Sequence, residues 1–164
     1  MRALAMKWMM TGLLAAGLVA CNGKEDDSGA GDSSATDAEL WEAMDGYAGW
    51  NQVDPWTGVQ ASGAAHGAFV QIWVNDTGAA AAAAGGTDFP EGTIIVKESY
   101  DAEDGAATGV TAMWKGAGTD ATGGWHFVKY STSGAVEVDG ATGADACGGC
   151  HSAGADYSLA WVGG

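Results

Sequence analysis

An α+β domain, built mainly as an antiparallel β-sheet with flanking helices, is predicted here by three observations. Four stretches of strand length carry alternating or continuous apolar residues. Turn-forming breaks separate them, among them Phe89-Pro90-Glu91-Gly92 and the glycine-rich residues 116–123. Helical patterns stand before the first strand and after the last, so helices are expected at the ends of the sheet or over one face.

The elements follow in chain order. Residues 1–20 read as an export signal and are set apart from the fold. Arg2 and Lys7 supply its positive flank, and the apolar run from Trp8 to Ala20 is short for a bilayer span. It ends in Leu18-Val19-Ala20-Cys21, the pattern of a bacterial lipoprotein cleavage site, where Cys21 takes a diacylglyceryl group. Several acyl chains on one cysteine exceed the roughly two-signal threshold for stable anchoring. The alternative is an ordinary signal peptide or an uncleaved anchor. Asn22 is not the aspartate associated with inner-membrane retention, which leans towards the outer membrane. Residues 21–36 have almost no apolar side chain and form a flexible acidic linker.

Residues 37–164 are one domain in length and long enough to bury a core. Thr36-Asp37-Ala38-Glu39 matches a capping box, so a helix is expected from Ala38 to about Ala48, with Leu40, Trp41 and Met44 on its apolar side. Residues 51–65 read as loop. Strands are expected at 67–75, 93–100, 109–115 and 124–130, and a short helix over the alanine run 79–84. A last helical turn should start near Gly143 and carry two cysteines.

Composition narrows the function. The formal charge is −15, and loss of Arg2 and Lys7 with the leader makes it more negative still. Such a surface repels nucleic acid phosphates. It suits either a basic redox partner, with attraction falling as salt rises, or solvation in a saline habitat. Glycine makes up 28 of 164 residues, well above the usual ~7%, and this raises the entropy cost of folding. A rigid apolar cofactor would supply core volume that glycine and alanine cannot.

That cofactor is named by Cys147-Gly148-Gly149-Cys150-His151, the attachment sequence of c-type haem. Two thiols at this spacing add across the two vinyl groups of one haem, and the following histidine becomes an axial ligand of the iron. A Cys-x-x-Cys pair also occurs in redox pairs and zinc sites. Zinc takes about four ligands, whereas the chain has no second such pair and only two other histidines. A redox pair normally opens a helix in a βαβ setting, which is not seen. Cys21 for lipid and Cys147 and Cys150 for haem account for every cysteine, and export agrees with both, since bacteria attach c-type haem outside the cytoplasm.

The opposite side of the iron decides the chemistry. Thirteen residues follow His151, and none is Met or His. Met44, Met113, His66 and His126 lie upstream, and any of them ligating would give a six-coordinate electron carrier. The preferred expectation is a five-coordinate iron with an open distal face, a site for small molecules such as NO, CO or hydroxylamine.

An ordered set of segments carries a family resemblance over nearly the whole domain. It comprises Ala65-His66-Gly67, the run from Phe89-Pro90-Glu91-Gly92 to Lys97-Glu98, Met113-Trp114-Lys115, Gly123-Gly124-Trp125-His126-Phe127, the haem sequence and Asp156-Tyr157. Together they resemble the cytochrome P-460 family. The resemblance implies an antiparallel β fold with flanking helices and a C-terminal haem-attachment helix, usually a homodimer. It also implies a lysine bonded covalently to a haem meso carbon, which maps onto Lys97; strand alternation places Lys97 with Thr93 and Ile95. The other reading is an ordinary strand lysine reaching solvent. Hydroxylamine-oxidising members resemble one another in a distal glutamate four positions before the lysine of the third strand, and that position here is Thr111. A threonine hydroxyl is no base near neutral pH. The related cytochromes c′-beta bind NO and CO without the cross-link.

Overall fold

The computed structural model describes residues 33–161; the expected leader, Cys21, most of the linker and residues 162–164 lie outside the described residues. Six strands pair antiparallel in simple sequence order. They are β1 (Gln60–Ala61), β2 (Phe69–Val74), β3 (Ile94–Tyr100), β4 (Ala107–Lys115), β5 (Trp125–Tyr130) and β6 (Val136–Val138). Among the described residues four α-helices accompany the sheet: α1 (Ser33–Ala43), α2 (Asp76–Ala83), α3 (Gly140–Ala146) and α4 (Gly148–His151). The α+β class and all four expected strands are present. No helix among the described residues is long and apolar enough to cross a membrane.

Both faces of the sheet are covered, which is why Ile94-Ile95-Val96 reads as a continuous apolar run rather than an alternation. On one face Leu40 and Met44, from α1 and the turn after it, pack against Ile94, Val96, Val110, Val128 and Tyr130. On the other, Val70, Ile72, Ile95, Met113 and Phe127 form a layer that also meets Phe89 and Trp161. Adjacent strands bring Ile95 opposite Met113, Met113 opposite Phe127, and Lys97 opposite Thr111.

Three local expectations are corrected. The helix expected from Ala38 to about Ala48 runs instead from Ser33 to Ala43, and Thr36 and Asp37 lie inside it, so the capping box does not form. The Asp37 carboxylate, 1% exposed, is used elsewhere: it accepts from Gly140 N at 3.1 Å and pairs with His126 Nε2 at 2.7 Å. The expected loop 51–65 contains β1, and β6 was not foreseen. Strands of two and three residues are too short to show a period. The alanine helix begins earlier than its alanines because the Asn75 side chain caps it, accepting from Gly78 N at 3.2 Å. The sequence pattern counts Asn75 with the preceding strand, whereas β2 ends at Val74.

Candidate haem site

The last two helices carry the haem sequence. Asp139 caps α3, its side chain accepting from Thr142 N at 2.8 Å. At the next position Gly140 lies against His126, where a Cβ would run into the imidazole ring. Close packing there seats α3 on β5, and α4 follows directly. Cys147 is half-buried, Cys150 is exposed, and both thiols are free. Burial pushes the Cys147 thiol pKa up, with Cys150 adding to the effect.

His151 is buried, with Nδ1 2.8 Å from the Tyr157 carbonyl oxygen. A carbonyl can only accept, so Nδ1 carries the proton and Nε2 keeps its lone pair. This is the arrangement by which an outer partner orients a metal-binding histidine. Burial holds the ring pKa below the usual histidine value; the Tyr157 hydrogen bond opposes this, and Lys97 adds to it. The imidazole is therefore neutral and ready to ligate.

The carbonyl itself is held by a network that sequence reasoning did not find. Asp156 and Tyr157 both adopt left-handed backbone, at φ 44° and 58°, a conformation costing roughly 1–2 kcal/mol per non-glycine residue. Four contacts hold them there. Lys115 Nζ pairs with Asp156 Oδ1 at 2.5 Å, and Phe89 N donates to Oδ2 at 2.7 Å. Trp125 Nε1 donates to the Asp156 carbonyl at 2.9 Å, and Tyr157 Oη donates to Ala121 O at 3.0 Å. Met113-Trp114-Lys115 and Asp156-Tyr157 had been noticed as separate landmarks; nothing local in either says that they meet.

Between α4 and the sheet lies an apolar cavity of about 280 Å³. Val70, Ile72, Ile95, Met113 and Phe127 line it from the sheet, and Cys147, Cys150 and His151 from the helix side. The C-terminal segment closes one flank. It is tied to residues 53–56 by hydrogen bonds from Trp56 Nε1 to Ala160 O and, at 3.3 Å, from Trp161 Nε1 to Val53 O.

Lys97 and Thr111 both line this cavity. The Lys97 ammonium has no ion pair among the described residues, and burial lowers its pKa to about 8. Thr111 Oγ1 donates to the Lys97 carbonyl at 3.4 Å. No carboxylate is among the described residues that line the cavity. Of the four alternative iron ligands, His66 and Met113 line the cavity, whereas Met44 and His126 belong to the other face of the sheet.

These residues fit a haem. Two free thiols, a neutral imidazole with a free lone pair and an apolar chamber stand together. Among the described residues no cluster of three or more His, Cys, Asp or Glu side chains could hold a simple metal ion, so the zinc alternative lacks its ligands. Cys147 and Cys150 would hold the haem and His151 would ligate its iron.

No curated protein matches the chain. The sequence model of the family described as Cytochrome P460 matches residues 44–160, most of the domain and every strand described above. That family implies a haem cofactor. The chain belongs to the cytochrome P460 family.

Proposed function

We propose that this is a periplasmic, lipid-anchored c-type mono-haem protein that captures nitric oxide on the iron face opposite His151. The observation that carries this reading is the apolar cavity itself, which offers the Tyr157-oriented imidazole of His151 and no lining carboxylate among the described residues. When bound, haem supplies an iron that coordinates small diatomic molecules and exchanges single electrons. The chain's residues exclude water, orient His151 through Tyr157, and set the Thr111 hydroxyl in the cavity wall. Cys21 carries the lipid anchor, the outer membrane being favoured. The acidic surface suits a basic redox partner, and the family resemblance suggests a homodimer.

Hydroxylamine oxidation is a second reading, favoured by Lys97. Each electron removed from an N–H bond goes to an external acceptor, and each proton needs a base. Thr111 provides none, so turnover is expected to be slow. Reduced holoprotein should show a saturable spectral change with NO, and Thr111→Glu should raise hydroxylamine turnover by about 10²-fold or more. If NO leaves the spectrum unmoved while hydroxylamine is oxidised rapidly, capture is the wrong function.

Lys97 is proposed to bond to a haem meso carbon through Nζ. The bond replaces one N–H and one C–H by C–N, releasing two protons and two electrons; a peroxide takes up the electrons and is reduced to water. Only the neutral amine has the lone pair for this. With a pKa of about 8, bond formation should accelerate as pH rises towards 8 and level off above it. Intact mass reads the outcome: the linked wild type lies below polypeptide plus haem by two hydrogen atoms, whereas Lys97→Ala shows no such deficit. A wild type without the deficit at every pH, after peroxide, sinks the cross-link.

A further inference from the structure

The loop between β1 and β2 brings a second imidazole into the cavity. His66 and His151 have ring centres 6.1 Å apart and planes inclined at 77°. A metal–imidazole bond of about 2 Å, with the ring centre roughly 1 Å behind the nitrogen, puts two imidazoles on opposite sides of one metal about 6 Å apart. The observed spacing is that of two ligands sharing an iron. A bystander histidine on the distal side would have to stand further off, to leave the iron's second position clear.

His66 is also free to take this role. No hydrogen bond holds the ring among the described residues; the loop's own bonds run from Ser62 N to Ala68 O at 2.8 Å and from Ala64 N to Ser62 Oγ at 3.2 Å. The rival ligand, Met113, is 7% exposed and packed into the floor between Ile95 and Phe127.

The loop looks built to let go. On one side His66 is anchored by Gly67, at φ 122°, where a Cβ would stand 3.3 Å from both Ser99 Cβ and the Tyr100 carbonyl oxygen. Only glycine takes that conformation in that space. On the other side stand the exposed Ala64 and Ala65, small residues at the cavity's rim. The imidazole can leave the cavity without unpacking the sheet.

We infer that His66 is a removable second axial ligand of the resting haem iron, and that NO or another small ligand enters by displacing it. This deepens the capture reading and rests on the haem site described above. Held closed, the iron refuses weak ligands and water; its apparent affinity is reduced by the fraction of molecules in which His66 is away.

The test uses full-chain holoprotein from cells that attach c-type haem. The ferric wild type should be low-spin by electron paramagnetic resonance, and His66→Ala should turn it high-spin. Added imidazole should restore the low-spin signal to that variant, and Met113→Leu should leave it intact. CO binding to the reduced wild type should reach a limiting rate set by His66 release. With His66 on the iron about nine-tenths of the time in the wild type, His66→Ala should bind about tenfold faster at the same CO concentration. Should the variant fail to take up haem, the near-infrared magnetic circular dichroism of the wild type still separates two imidazoles from imidazole with thioether or amine. A high-spin ferric wild type, or a low-spin signal that survives His66→Ala, overturns the ligand. A colourless wild type overturns the haem reading itself, whereas a coloured, high-spin one leaves NO capture standing.

Discussion

Exported without haem, as a Cys147→Ser/Cys150→Ser variant, the chain should fail to hold a cooperatively folded state at 25 °C. The cavity beneath α4 measures about 280 Å³. Unfilled core volume costs about 24 cal/mol per Å³ where it is enclosed and the walls do not collapse, which sets an upper bound of about 7 kcal/mol for this partly open cavity. A domain of this length is stable by only about 5–15 kcal/mol in all, and its many glycines add to the entropy of the unfolded chain. Lys97 worsens the balance, because below pH 8 its ammonium is buried in that space without a partner. The comparison is thermal unfolding by circular dichroism against the holoprotein, with binding of a hydrophobic dye to report exposed apolar surface. A sharp transition within a few degrees of the holoprotein's would show that the cavity closes on itself and that haem is not part of the core.

Replacing Asp37 with alanine in the holoprotein should lower the unfolding free energy by about 2–5 kcal/mol, because each buried partner left without its hydrogen bond costs about 1–3 kcal/mol. Asp37 is the point where three elements meet. From α1 its carboxylate reaches His126 Nε2 on β5 at 2.7 Å and Gly140 N at the start of α3 at 3.1 Å, and its carbonyl accepts from Tyr130 Oη at 2.6 Å. Alanine leaves the His126 ring and the Gly140 amide buried without partners. Asp37→Asn keeps an acceptor oxygen and should lose less, about 1–3 kcal/mol. Because α3 leads straight to Cys147, loosening its first turn should also speed haem-edge exposure, seen as faster bleaching by peroxide. Denaturant unfolding of both variants decides the matter. Losses under about 0.5 kcal/mol, the range of ordinary surface substitutions, would mean the network is idle.

The strands and the attachment site were legible because each is a local pattern. Period-two apolarity located β2 to β5, and five consecutive residues named the haem. Short elements were missed for the same reason: β1 and β6 contain too few residues to display any period. Asp37 misled because a helix-start pattern looks the same whether its carboxylate caps its own helix or crosses to another. The Lys115–Asp156–Tyr157 support of His151 was invisible because its parts are separated by about 40 residues and carry no shared spacing.

By itself, the sequence determined that this chain is an antiparallel α+β protein with a Cys-x-x-Cys-His sequence near its C-terminus, and that Lys97 shares a strand face with Ile95. What only the tertiary structure decided is which side of the sheet that chemistry occupies. His66 and His126 are alike in sequence, each within two residues of a glycine near the start of a strand, yet His66 lines the cavity and His126 is locked to Asp37 behind the sheet. Alternation sorts a strand's residues into two sets, but the face that receives the cofactor is chosen by where α3, α4 and the C-terminal segment return. That return is a contact between distant parts of the chain, and no local pattern records it.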